Sequence, residues 1–178
     1  MGYSFLIGGA RSGKSTLAVQ MAHRAEARGE RVFFVVTAEA LDDEMDDRIA
    51  RHQAERPTNW EVIEAPRHLL AGLSQADSGF VVLDCLSFWV ANLVMDEQLT
   101  DDDIESAARD VARHLMNRDS SGVVVSNEVG LSLVPEHALG RRFRDVLGRV
   151  NAILAASAHA ASFVVAGRIL ELQPPRLD

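Results

Sequence analysis

The stretch that most constrains this chain is "LIGGARSGKSTLA", running from Leu6 to Ala18. Gly8, Gly13, Lys14 and Ser15 satisfy the pattern G-x-x-x-x-G-K-S/T, and the flanks fit as well as the letters. Before the motif, "YSFLIG" reads as a buried strand. After it, "STLAVQMAHRAEARG" repeats apolar residues at helical intervals and closes on Gly29. The glycines let several backbone N–H groups turn inward as an anion-binding nest, at the positive end of the new helix dipole. Lys14 would reach the β/γ-phosphates and Ser15 would hold Mg²⁺. A glycine-rich turn that binds nothing is the plain alternative, and strand, full motif and helix in unbroken order argue against it.

Four more apolar, β-branched runs follow: "RVFFVVTA", "GFVVLDCL", "GVVVSNEV" and "ASFVVAG". Apolar character without alternation suits strands buried on both faces of a parallel sheet. The segments between them are long enough for helical crossovers. The expectation is an α/β, three-layer P-loop NTPase fold of the RecA-like kind, with a mostly parallel sheet. No linker, repeat or low-complexity segment interrupts the 178 residues, so a single domain over 1–178 is expected. Residues 53–68, "QAERPTNWEVIEAPRH", read as a loop with at most one short strand. The net charge of −8 argues against non-specific nucleic-acid binding. One cysteine, Cys85, excludes an internal disulfide framework. With no basic leader and no apolar stretch of membrane-spanning length, the expected compartment is the cytoplasm.

Three strand ends carry residues with chemistry. "VVLDCLSFW" puts Asp84 where a Walker-B carboxylate steadies Mg²⁺; a helix N-cap is its structural alternative. After "VVTAE", Thr37 or Glu39 would open a helix whose inner stripe is Leu41, Met45 and Ile49. His52 follows three residues later and leans to the same side; alone, it reads as a packed or capping residue. Beside a triphosphate site, however, it offers a neutral nucleophilic nitrogen. Asn127 and Glu128 end the fourth run, on the edge where open α/β sheets bind ligands. In the helix after it, Phe143, Val146, Leu147, Val150, Ile153 and Leu154 mark one apolar face. Arg142 and Arg149 share a flank, which reads as an ion-paired stripe or as a contact to phosphate or another subunit.

There is no N-K-x-D guanine motif, zinc-ligand spacing, nucleophile elbow or dinucleotide fingerprint. Taken in order, "GGARSGKS", "LDDEMDDRIARHQAERP…W", "SNEVGLSLVPE" and "RRFRDVLGRVN" resemble the bifunctional adenosylcobinamide kinase/adenosylcobinamide-phosphate guanylyltransferase family of cobalamin biosynthesis. The resemblance covers nearly the whole chain, and its middle and late motifs are far more specific than the phosphate loop.

That resemblance implies two reactions. A nucleoside triphosphate, ATP or GTP, phosphorylates the hydroxyl of adenosylcobinamide's aminopropanol arm. GTP then guanylylates a histidine, pyrophosphate leaves, and the substrate phosphate takes GMP to form adenosylcobinamide-GDP. The family's guanylylated histidine falls on His52. Its phosphate loop falls on Gly8, Gly9, Ala10, Arg11, Ser12, Gly13, Lys14 and Ser15. Further nucleotide contacts fall on Thr37, Ala38, Glu39, Gln53, Ala54, Glu55, Arg56, Glu64 and Asp84, and the family is similar in being a small trimer. Two departures stand out: Arg51-His52 replaces the paired histidines of some relatives, and Glu55 stands where glycine is common. The rival readings are a P-loop kinase of another small alcohol and a nucleotide-dependent regulatory ATPase. For the trimer, the Arg141–Arg149 helix and the apolar "SFWVANLVM" are the first surfaces to inspect.

Overall fold

A computed structural model describes residues 2–39, 57, 59–76 and 78–175. The stripe Leu41, Met45 and Ile49, and the helix expected to carry it, lie outside the described residues. Seven strands form one sheet in the order β3-β2-β4-β5-β1-β6-β7. They are β1 (Tyr3–Gly8), β2 (Val32–Val36), β3 (Glu61–Glu64), β4 (Phe80–Asp84), β5 (Gly122–Asn127), β6 (Ala160–Val165) and β7 (Arg168–Leu172). All pairings are parallel except β6 with β7. The five apolar runs read from the sequence are β1, β2, β4, β5 and β6, and the short strand within 53–68 is β3.

Helices cover both faces, as strands apolar on both sides require. One face carries α1 (Lys14–Ala27), which buries Ala18, Ala22 and Ala25. The small alanines let this helix lie close to Leu6, Val82, Val123 and Val125. The other face carries α2 (Leu69–Leu73), α3 (Leu86–Val94), α4 (Asp101–Met116) and α5 (Ala138–Ser157). There Trp89, Ile104, Leu147 and Leu154 pack on Phe5, Leu83 and Val124. Strand alternation therefore assigns each residue a side: Val82 and Val125 face α1, while Leu83 and Val124 face the larger helical layer.

Of the two surfaces singled out in the sequence, one turns inward and the other is the ion-paired stripe. "SFWVANLVM" is mostly α3, and Trp89, Val90, Leu93 and Val94 go into the core, so this helix offers no apolar outer face. Arg142 and Arg149 are ion-paired rather than displayed: both reach Asp101, and Arg149 also reaches Glu105. Arg142 further donates to the carbonyls of Val94 and Leu99. Exposed apolar residues lie elsewhere, on β7 (Ile169, Leu170, Leu172) and on the loop before α5 (Leu131, Leu133, Val134).

The antiparallel β7 is absent from the sequence reading, which ends the last strand at "VVAG". Ala166 and Gly167 both have positive φ, 50° and 70°, and form the two-residue turn of a hairpin. Glycine at the second position suits such a turn, but alanine at the first is not one of the residues that mark it in a sequence.

Candidate nucleotide site

The phosphate loop leaves β1 at Gly8 and enters α1 at Lys14. Gly8 is required by a close approach: a Cβ there would lie 2.1 Å from the Val164 carbonyl oxygen of β6. Arg11 (φ 55°) and Gly13 (φ 102°) carry the left-handed turns that aim successive N–H groups into one concavity. Neighbouring strands pin the loop. Glu128 donates its N–H to the Gly8 carbonyl at 3.0 Å, and Gly167 donates to the Ser12 carbonyl at 2.9 Å. The β6–β7 turn is thus part of the loop's support, which the sequence reading did not anticipate.

The start of α1 has no side-chain cap and no acidic residue in its first turn. The contrast with α4 is clear, since Thr100 and Asp103 there form a complete capping box behind three aspartates. The starts of α2, α3 and α5 also lack a side-chain cap; what sets α1 apart is the glycine loop that leads into it and the buried Lys14 at its first position, the pattern of a phosphate site. Lys14 is buried; its ammonium donates to the Gly9 carbonyl at 2.7 Å and to Ser12 Oγ at 3.3 Å. Burial lowers the Lys14 pKa, and the charges of Cys85 and Asp84 oppose that shift. Burial, together with the Asp84 charge, pushes the Cys85 thiol up to about 11. At neutral pH the thiol is uncharged, so Asp84 supplies the counter-charge.

Asp84 ends β4, and alternation from Val82 puts it on the α1 face. The N-cap of α3 is Cys85, without a side-chain cap bond, so Asp84 is not the N-cap residue of that helix. Ser15 and Asp84 are hard oxygen donors of the kind Mg²⁺ takes alongside substrate phosphates. Among the described residues no three His, Cys, Asp or Glu side chains gather into a cage. A cation bound by this pair would take waters and phosphate oxygens for the rest of its shell.

The remaining predicted contacts form a second group. Thr37, Ala38 and Glu39 follow β2, and Glu64 ends β3, paired in register with Val36. Four strand spacings, about 19 Å, separate Glu64 from Gly8, and three separate β2 from β1. Thr37 is fully buried: its hydroxyl donates to the Cys85 carbonyl at 2.6 Å and accepts from the Cys85 N–H at 3.1 Å. It ties the exits of β2 and β4 together. Glu39 lies 3.5 Å from Arg67, which also pairs with Asp96. Asn92 of α3 donates to the carbonyls of Thr37 and Pro66. Arg67 and Asn92 were missed because neither stands in a recognisable motif. His52, Gln53, Ala54, Glu55 and Arg56 lie outside the described residues.

A family model described as "Cobinamide kinase / cobinamide phosphate guanyltransferase" matches residues 4–172. The chain belongs to this family. It is 41% identical to the bifunctional adenosylcobalamin biosynthesis protein CobP of Pseudomonas aeruginosa, over 94% of this chain and 95% of that protein. The CobU proteins of Salmonella typhimurium and Escherichia coli K12 are 38% and 36% identical, each over 90% of this chain and 93% of theirs. A KaiC-like protein of Pyrococcus horikoshii OT3 superposes with a TM-score of 0.52 at 14% identity, over 91% of this chain and 70% of that one. That likeness bears on the fold, which is the α/β, three-layer architecture expected of the family.

Proposed function

We propose that this chain phosphorylates adenosylcobinamide from ATP or GTP and then transfers GMP from GTP to the phosphate it has made. Family membership supports the pair of reactions. The observation that carries the kinase half is the uncapped α1 start, with buried Lys14 at its mouth and Asp84 on the same face.

In the first reaction the acceptor hydroxyl oxygen attacks the γ-phosphorus and the nucleoside diphosphate leaves. The protein's work is positioning and charge neutralisation. The loop N–H groups of Gly9 to Gly13 hold the phosphate oxygens, and Lys14 moves from the Gly9 carbonyl onto the transferred group. Mg²⁺, held by Ser15 and Asp84 with the phosphates, would supply further charge neutralisation.

The second reaction needs a nucleophile at the α-phosphorus, a role neither Lys14 nor Asp84 can fill. We assign it to His52. A neutral ring nitrogen attacks, the α–β bond breaks, and pyrophosphate leaves; the substrate phosphate then displaces the imidazole and takes GMP. Ala38, Glu39, Gln53 to Arg56 and Glu64 are assigned to this nucleotide; Thr37, expected among the contacts, is fully buried and bonded to Cys85 and Asn92, so it holds the strand end that carries Ala38 and Glu39. The distance of Thr37 and Glu64 from Gly8 supports a guanylyl pocket beside β2 and β3, apart from the phosphate loop. No described helix is long and apolar enough to cross a membrane, and the cytoplasm is the compartment we propose. The exposed apolar residues of β7 and the 128–137 loop support assembly with further copies of the chain, as a trimer.

The test is incubation with α-labelled GTP and Mg²⁺ without corrinoid. Label should enter the protein with release of pyrophosphate, survive base, be lost in acid, and be absent from His52→Asn. A protein that consumes ATP with another acceptor and takes up no label would be a simple kinase.

A further inference from the structure

Strand β5 lies between β1, which delivers the phosphate loop, and β4, which delivers Asp84. Its last residue, Asn127, is in register with Gly8, the first residue of the loop. Val123 and Val125 pack on the α1 side, so alternation puts the Asn127 side chain on that face too. Asp84 reaches the same face by the same count from Val82. One amide side chain therefore stands at the carboxyl edge of the sheet, between the loop and the carboxylate, one strand spacing from each strand.

Its side chain is held by Ser87 and its backbone by Asn151. Asn127 Nδ2 donates to Ser87 Oγ at 2.7 Å, and Ser87 in turn contacts the Cys85 sulfur at 2.9 Å. The Asn127 main-chain carbonyl accepts from Asn151 Nδ2 at 3.1 Å, while Asn151 Oδ1 accepts from Ser126 at 2.6 Å. Ser87, Ser126 and Asn151 are all buried, so this is a packed relay rather than a surface contact. Ser87 uses one of the two Nδ2 hydrogens, and Asn127 itself is half-buried. Among the described residues no partner takes the second N–H, which leaves it for a group in the cleft.

We infer that Asn127 donates this N–H to an oxygen of the γ-phosphoryl group, with Ser87 and Asn151 as the residues that position it. This deepens the kinase reading above and rests on it for the identity of the phosphoryl acceptor. A neutral donor at this place reads whether the third phosphate is present, and it gains strength as charge spreads over the equatorial oxygens during transfer. Attack at the α-phosphorus in the guanylyl step develops its charge elsewhere and draws less on it.

The experiment compares wild type, Asn127→Ala and Asn127→Asp by titration with β,γ-imido triphosphates and with the diphosphates, in ATP and GTP series. Asp keeps the shape and can accept from Ser87, but it turns a carboxylate toward the phosphate. Both variants should lose about tenfold in triphosphate affinity while diphosphate affinity holds. The kcat of corrinoid phosphorylation should fall about a hundredfold, more than labelling of the protein by α-labelled GTP. An unchanged triphosphate-to-diphosphate ratio in a folded Asn127→Asp protein overturns the assignment. The ratio needs no acceptor and no His52 adduct, so it reads Asn127 even where the two-reaction scheme fails.

Discussion

The Lys14 ammonium sits 2.7 Å from the carbonyl oxygen of Gly9, folded back over the loop whose ligand it is built to meet. The contact is a resting place. A triphosphate displaces a neutral carbonyl with a charged oxygen, a stronger acceptor. Replacing Lys14 with Ala should lower phosphoryl transfer by about a hundredfold or more, because a cation aimed at the transition state is lost. Thermal midpoints of the nucleotide-free protein should not fall, since burial already disfavours the charge. Retained turnover in the Ala variant would remove the loop from catalysis.

The same lowered pKa makes nucleotide binding a proton-linked event. Burial depresses the Lys14 value in the free protein, and bound phosphates must raise it again. Between the two values the free protein lacks a proton that the complex holds. Binding should therefore take up protons on the alkaline side, and affinity should weaken as pH rises through the free-state value. Calorimetry in buffers of different ionisation enthalpy measures this uptake. It should vanish in Lys14→Met; uptake that persists there belongs to another group.

The cation role proposed for Asp84 is open to test, since the N-cap of α3 is Cys85 and not Asp84. Asp84→Asn keeps the shape and removes the charge. It should shift the Mg²⁺ titration of the kinase reaction to higher concentration with the fold intact. A superimposable titration curve would return this residue to a structural role.

The legible parts of this molecule are those where one local pattern has one physical solution. A glycine-rich motif between an apolar run and a helix marks a tight strand-to-helix turn, and left-handed Arg11 and Gly13 make that turn before α1. Runs such as "FVVLD" and "GVVVSN" carry no alternation, so burial between two helical layers follows. What was not legible depends on partners far along the chain. Nothing near Thr37 signals that its hydroxyl is bound to Cys85, 48 positions away. Nor does "RRFRDVLGR" reveal that Arg142 and Arg149 face Asp101 and Glu105 of α4, since that needs the packing of two helices. Strand β7 was hidden for another reason: "RILEL" alternates weakly and is exposed throughout.

The α4–α5 ion pairs carry a pH signature. Hydrogen bonding to Arg142 above all holds the Asp101 carboxyl below its usual range; burial opposes it, and hydrogen bonding to Arg149 adds to it. A carboxylate depressed in the folded state contributes stability above its unfolded value, and the contribution is lost as pH falls through the folded one. Asp101→Asn should therefore lower the thermal midpoint at neutral pH, modestly because the pair is half exposed. The gap to wild type should close in acid. A gap of constant size across the titration would show that helix packing, not charge, sets the difference.

The outer edge of the sheet asks for cover. Strand β7 pairs only with β6 among the described strands, and its Ile169 and Leu170 are 53% and 61% exposed. On the loop before α5, Leu131 and Leu133 are 82% and 93% exposed. An apolar edge strand left bare is a site of association, and several such residues together exceed the scatter normal for a monomer. If copies of the chain cover this surface, light scattering should give three chain masses for the wild type. Leu170→Glu should then shift the mass toward one chain without lowering nucleotide affinity at the phosphate loop, because Leu170 lies in the hairpin beyond the Gly167 contact to Ser12. A wild type that runs as one chain mass, or a variant that stays trimeric, would remove β7 from the interface.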